Sequence, residues 1–113
     1  MATRDYSDVH EKSVCKALGA TQQLNSGATK YMKGDVVKKS ASLLCECKCC
    51  MSPKSSVSIK KEWIDKNRQE AFSQRLSNSC IAFNFEPNGE NYYVINEKLM
   101  RYLVECLEQE EKY

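Results

Sequence analysis

The chain has 113 residues, 28% charged and 42% hydrophobic, with 17 lysines and arginines against 15 aspartates and glutamates. That size and balance fit one compact soluble domain, able to bury about 65% of the surface its unfolded form exposes, and leave no room for a second. No apolar run approaches the roughly 18 residues of a membrane span, and the charges of MATRDYSDVHEK have no apolar segment behind them, so membrane insertion and secretion are set aside.

The spacing of Val9, Val14 or Cys15 and Leu18 predicts a helix over 6–18, with Gly19 as its stop. The polar stretch 20–34, punctuated by Gly27 and Gly34, predicts a loop, long for a small domain and therefore a place to look for function. Asp35 to Val37 predicts a short strand, 38–41 a turn and Ser42 to Cys50 a second strand, together a hairpin. Ser58 is the expected N-cap of a second helix, whose apolar stripe takes in Ile59, Trp63, Ile64, Ala71, Phe72 and Leu76. Cys80 to Phe85 and Tyr92 to Ile95 predict strands on either side of the turn-forming Pro87-Asn88-Gly89. A last helix starts near Asn96, with Leu99, Met100, Leu103, Val104 and Leu107 on one side, and residues 1–5 and 109–113 are expected to fray. The expected order is α-β-β-α-β-β-α, an α/β fold with a small mixed sheet flanked by helices.

The net charge of +2 is unevenly spread. Residues 30–61 hold eight lysines (Lys30, Lys33, Lys38, Lys39, Lys48, Lys54, Lys60, Lys61) and only two acids, Asp35 and Glu46, a balance of +6. The rest is neutral to acidic. Such a block suits a polyanion, because each phosphate neutralised releases counterions. The seven cysteines, four of them within Cys45–Cys50, form no spaced framework. They predict a reduced cytoplasmic protein that uses thiols as small buried hydrophobes. Structural zinc normally takes two C-x2-C knuckles, whereas Cys45-x-Cys47-x-Cys49 presents its sulfurs in a row.

Strand alternation sorts Ser42 to Cys50 into two faces, Leu44, Glu46, Lys48 and Cys50 on one and Leu43, Cys45, Cys47 and Cys49 on the other. If the two strands pair, Asp35 and Glu46 converge on one cation with Lys48 beside it. Two carboxylates and a main-chain carbonyl, that of Cys47, make a hard oxygen site for Mg²⁺, with Mn²⁺ as a substitute. Such an ion activates water and polarises phosphate, and a lysine beside it orients the water and balances charge. Glu11 on the first helix is the acid that completes the site, directly or through water. His10 is expected as an ordinary surface histidine, and Trp63, Tyr92 and Tyr93 as core or interface residues.

Glu11 on an N-terminal helix, Asn25-Ser26-Gly27-Ala28, Gly34-Asp35-Val36 and Glu46-Cys47-Lys48 together resemble the PD-(D/E)xK nuclease superfamily. More narrowly, the order Glu, Ser-Gly, Gly-Asp, Glu-x-Lys is similar to archaeal-type Holliday-junction resolvases and small phage-borne relatives. The stretch Ser58 to Ala71 is similar to the helix that follows the catalytic strand in those phage proteins. The resemblance covers residues 8–96 and implies a restriction-endonuclease-like fold and a Mg²⁺-dependent endonuclease acting on DNA, with branched DNA as substrate and a homodimer as the working unit. It implies Asp35 and Glu46 as metal ligands, Lys48 as the water-orienting group and Glu11 as the helix-borne acid. Ser26, Lys30 and Lys33 would contact backbone phosphates, as would Lys60 and Lys61 of the basic block. Lys12 stands where resolvases carry arginine, so bidentate phosphate gripping is lost there. Gln69 is a candidate for the glutamine seen on the helix after the catalytic strand. The competing expectation is a catalytically silent accessory or inhibitor on the same fold, binding DNA or protein. Neither reading calls for an organic cofactor.

Overall fold

The computed structural model describes residues 3–23 and 35–110, with side chains from residue 6 onward. Helix α1 (Thr3–Leu18) starts three residues earlier than its apolar spacing predicts. It ends where expected, on Gly19 in the left-handed conformation (φ 63°), and Ala20 N–H closes the turn onto Cys15 O at 2.9 Å. Strand β1 (Thr21–Gln23) lies inside the stretch read as loop. Its three polar residues carry no alternation, and only pairing with β2 (Asp35–Lys38) makes them a strand. The order of elements is therefore one strand longer than the sequence predicts.

The hairpin forms as expected. A 3-10 turn, Lys39–Ala41, joins β2 to β3 (Leu43–Lys48). The turn closes on Ser42, left-handed at φ 52°, whose N–H donates to Lys39 O at 2.9 Å. Its hydroxyl accepts the Ser77 N–H at 2.7 Å and its carbonyl the Asn78 N–H at 2.8 Å, which pins the hairpin to the start of β4 (Asn78–Phe83). Strand β3 stops at Lys48 rather than Cys50, because Cys50 N–H turns to Asn84 Oδ1 at 2.8 Å.

Helix α2 (Lys61–Ser73) supplies the crossover that a parallel β3–β4 pair requires. It begins three residues after the expected cap: Ser58 lies outside it, Lys60 holds the N-cap position without a side-chain bond, and Glu62 faces the positive end of the helix dipole. Its end is a Schellman turn with Arg75, not glycine, in the left-handed position (φ 62°): Leu76 N–H reaches Ala71 O at 2.8 Å, and Leu76 packs on Ala71. The tight turn before β5 (Tyr92–Val94) needs Gly89, since a Cβ there would stand 2.7 Å from Glu86 Cγ. Helix α3 (Glu97–Glu110) follows, with Asn96 Oδ1 accepting the Leu99 N–H at 2.9 Å.

The five strands lie in chain order in one sheet, antiparallel except at β3–β4. Helix α1 covers one face, where Val14 meets Val36, Cys45, Cys80 and Ala82. Helix α2 covers the other, where Ala71 and Leu76 meet Val37 and Leu44. No residue of α3 is buried, and Met100, Tyr102, Leu103, Val104 and Leu107 are all exposed. Among the described residues no helix is long and apolar enough to cross a membrane.

Asn84, buried at the end of β4, holds the chain leaving β3 by two bonds, from Cys50 N–H to its side chain and from Cys50 S–H to its carbonyl at 3.2 Å. Asn84→Ala strands a buried amide and is expected to cost about 1–3 kcal/mol, read as a lower urea midpoint at unchanged slope. An unchanged midpoint would show that the anchor carries no weight.

Candidate active site

Asp35 and Glu46 are direct partners in the antiparallel ladder, and that pair is its last. Directly opposite residues share a face. Since Val37 and Leu44, the pair two positions along, lie under α2, the two carboxylates lie on the α2 side of the sheet, Glu46 lining a cleft and Asp35 buried behind it, outside that lining. Asp35 is buried and Glu46 half-buried. Lys48, two residues further along the same face, places Nζ 2.9 Å from Glu46 Oε2 and 4.5 Å from the ring centre of Trp63, in the first turn of α2. The three elements that the sequence separates thus meet at one end of the sheet.

Glu46, Cys47 and Lys48 line a cleft of about 980 Å³ that opens between the N-terminal half of α1 and α2. Glu11 lines it too, but comes from the other side of the sheet. Its carboxylate accepts Gln22 Nε2 at 3.0 Å, and Gln22 pairs with Val36, whose side chain lies under α1. Burial pushes the Glu11 carboxyl up from its ordinary value and the nearby Asp8 adds to this, while the Gln22 bond opposes it. Gln22 also donates to Asp8 Oδ1 at 3.2 Å, and Asp8 pairs with Lys12 at 2.9 Å. Lys12 is thus engaged on the exposed side of α1 and is not part of the cleft wall. Gln22, a side chain the sequence did not single out, becomes visible only once β1 is recognised as a strand.

The donor chemistry suits Mg²⁺, which binds through one or two carboxylates and keeps waters and substrate phosphate in its other positions. Asp35 and Glu46 supply the carboxylates, and the Cys47 carbonyl lies just past the end of the β2–β3 ladder. Among the described residues no three His, Cys, Asp or Glu side chains are gathered into a cluster of their own. A metal held here would have two protein carboxylates and not a closed protein cage.

Of the residues expected to meet phosphate, Ser26, Lys30 and Lys33 lie outside the described residues. Lys60 stands 5.8 Å from the Trp63 ring centre, beside the cleft. Lys61 is exposed and pairs with Asp65 at 2.8 Å, away from the cleft lining. Gln69 is exposed on α2 and also outside that lining. The structure adds Lys54 and Lys66 to the cleft wall, with Ser56 and Ser58. Lys54 is fixed there by its N–H to Phe85 O, 2.8 Å.

Two aromatic or imidazole side chains sit where the sequence did not put them. Trp63 is a wall of the cleft rather than core, and His10 is buried at 4% exposure rather than on the surface, because it lies on the sheet-facing side of α1. Tyr92 joins Phe83 and Phe85 in an aromatic cluster with ring centres 5.6–5.9 Å apart, and Tyr93 packs into the α1-side core. All seven cysteines are free thiols. Cys45 and Cys80 face each other across the parallel ladder, buried, and each thiol is held up in pKa, Cys45 chiefly by Cys47 and Cys80 chiefly by Cys45. They are neutral core residues.

Neither ring nitrogen of His10 makes a hydrogen bond, and burial lowers its pKa from 6.5, with the nearby Asn91 side chain working in the opposite direction. The folded protein keeps His10 neutral while the unfolded chain takes up a proton below pH 6.5, so stability falls as pH drops through that value toward the folded pKa. Urea midpoints measured from pH 7.5 to 5 are expected to show this loss, and His10→Gln to reduce it. Equal slopes in both proteins would place the acid sensitivity elsewhere. No family model, curated protein or solved structure matches this chain.

Proposed function

We propose that the chain is a divalent-metal-dependent endonuclease of the PD-(D/E)xK kind, hydrolysing phosphodiester bonds in branched DNA as the Holliday-junction resolvases do. The observation that carries the reading is the Asp35–Glu46 pair at the end of the hairpin ladder, with Lys48 on the same face of an open cleft. Two carboxylates directly opposite each other on a sheet favour positive charge beside them, and Lys48 stands 2.9 Å from Glu46. Lysines 54, 60 and 66 add positive charge around that cleft, matching a phosphate backbone.

When bound, Mg²⁺ supplies Lewis acidity, polarising a phosphoryl oxygen and lowering the pKa of a water. Asp35, Glu46 and the Cys47 carbonyl would hold it. Lys48 donates to the attacking water, aligning its lone pair on phosphorus opposite the leaving oxygen, and balances the negative charge that builds on the phosphate. Glu11, whose carboxyl burial pushes up, lines the far wall, where it positions a water of the same site. Attack forms one P–O bond and breaks another; the water's proton passes to solvent and the leaving oxygen gains one.

Symmetric cutting of a four-way junction takes two such sites, and α3 is the surface we assign to a homodimer. Its exposed Met100, Leu103, Val104 and Leu107 form a stripe bordered by Glu97, Arg101 and Glu108. Antiparallel pairing with a second α3 brings the same flank of both helices together and sets Arg101 against the partner's acids. Light scattering is expected to give a dimer that Leu103→Glu dissociates; a monomeric wild-type protein rules this surface out.

Four-way junction, flap, duplex and single-stranded DNA should be incubated with the protein in Mg²⁺, Mn²⁺ or EDTA. Cutting is expected with either metal and not with EDTA, the junction being cut best. Asp35→Asn is expected to cost more than the roughly 10–100-fold typical of outer-shell metal partners while DNA binding persists. No cutting of any substrate at micromolar protein overturns the enzyme reading and leaves a silent binding protein.

A further inference from the structure

We infer that Trp63 is a positioning residue for Lys48: its indole holds the ammonium in the cleft while Glu46 gives up that ammonium for a divalent cation. The inference rests on the nuclease reading of the Asp35–Glu46 pair. In the structure Lys48 is shared, with Nζ 2.9 Å from Glu46 Oε2 and 4.5 Å from the Trp63 ring centre. The side chains are 35% exposed for Lys48 and 15% for Glu46, so the ion pair is partly withdrawn from water and is not a loose surface contact. A divalent cation that binds Glu46 through Oε2, or through both carboxylate oxygens, displaces this ammonium.

Where the ammonium goes then decides whether it remains useful. Glu62 is an acid of the same cleft wall, and a lysine captured by it would be drawn away from Glu46. The ring attracts an ammonium through its negative face and already touches Lys48 where it stands. Being neutral, it neither competes for the divalent cation nor repels an incoming phosphate, as a carboxylate in that place would. Lys60, 5.8 Å from the same ring centre, lies beside the cleft, so one indole stands near two cations. With Glu46 on the metal, the ring becomes the main hold on Lys48, and losing it costs more in the cation-bound state than in the free one.

The test is a double-mutant cycle on Ca²⁺ affinity, measured by calorimetry on the intact chain with no DNA present. Trp63→Leu is expected to weaken Ca²⁺ binding roughly threefold, the size of an exposed to partly desolvated cation–π contact, and Trp63→Phe to keep most of the affinity. Lys48→Met is expected to tighten binding by removing the competing ammonium, and Trp63→Leu added to Lys48→Met to change nothing further. The chain has one tryptophan, so emission gives a second readout: Ca²⁺ shifts it in the wild type and in Trp63-containing Lys48→Met does not. If Trp63→Leu leaves affinity unchanged, or weakens it equally with and without Lys48, the ring does not act through the lysine and the inference fails while the metal site stands. If the wild type shows no Ca²⁺ binding that Asp35→Asn removes, the nuclease reading fails with it.

Discussion

Everything at the site depends on the register of β2 against β3. Side chains alternate with period two, so a slip of one residue would turn Asp35 to the opposite face from Glu46 and Lys48. The register is fixed twice over. Ser42, bonded to the turn before it and to Ser77 and Asn78 beyond, sets where β3 starts relative to both neighbours. The two cores set the rest: Val36 with Cys45 must lie under α1, and Val37 with Leu44 under α2, and each pair is buried. Only the last pair of the ladder, at the cleft, is doubly acidic. The apolar pairs stabilise the fold, and the acidic pair uses the rigidity they provide.

The same logic explains the thiols and the far wall. Cys45 and Cys47 occupy the α1 side of β3, whose other side carries Glu46, Cys80 faces Cys45 from β4, and a small neutral side chain is what a close helix–sheet contact at Val14 accommodates. Their cluster in the sequence reflects strand alternation under a helix. Glu11 and His10, adjacent on α1, are both buried and lean on few partners, Gln22 for the first and no hydrogen bond for the second. Polar groups in that condition cost stability. Here both line the cleft.

Much of this was legible in the residues. The hairpin and the shared face of Leu44, Glu46 and Lys48 follow from local pattern, whereas the meeting of Asp35 with Glu46 follows only once the two strands pair, in a register that the turn and the two cores set. Strand β1 was not legible, because Thr21-Gln22-Gln23 has no apolar pattern and gains its conformation from β2. The start of α2 was misplaced because Ser58 has the right chemistry for a cap, yet the helix opens at Lys61 with no side-chain cap. The left-handed Arg75 could not be foreseen, since the hydrophobic contact of Leu76 outweighs the strain that glycine would have avoided. Trp63 differs from expectation because a helix stripe does not say whether its inward side meets a core or a cleft, and His10 because Val9, expected on the apolar side of α1, is 46% exposed while His10 and Glu11 turn inward.

The central claim is that Asp35 and Glu46 share one divalent cation. Paramagnetic broadening by Mn²⁺ in amide NMR spectra tests it most directly. The account predicts that substoichiometric Mn²⁺ first erases the amide signals around Asp35–Val36 and Cys45–Lys48, that excess Mg²⁺ restores them, and that Glu46→Gln abolishes the effect. Broadening centred instead on the exposed glutamates of α3, or surviving unchanged in Glu46→Gln, would contradict it.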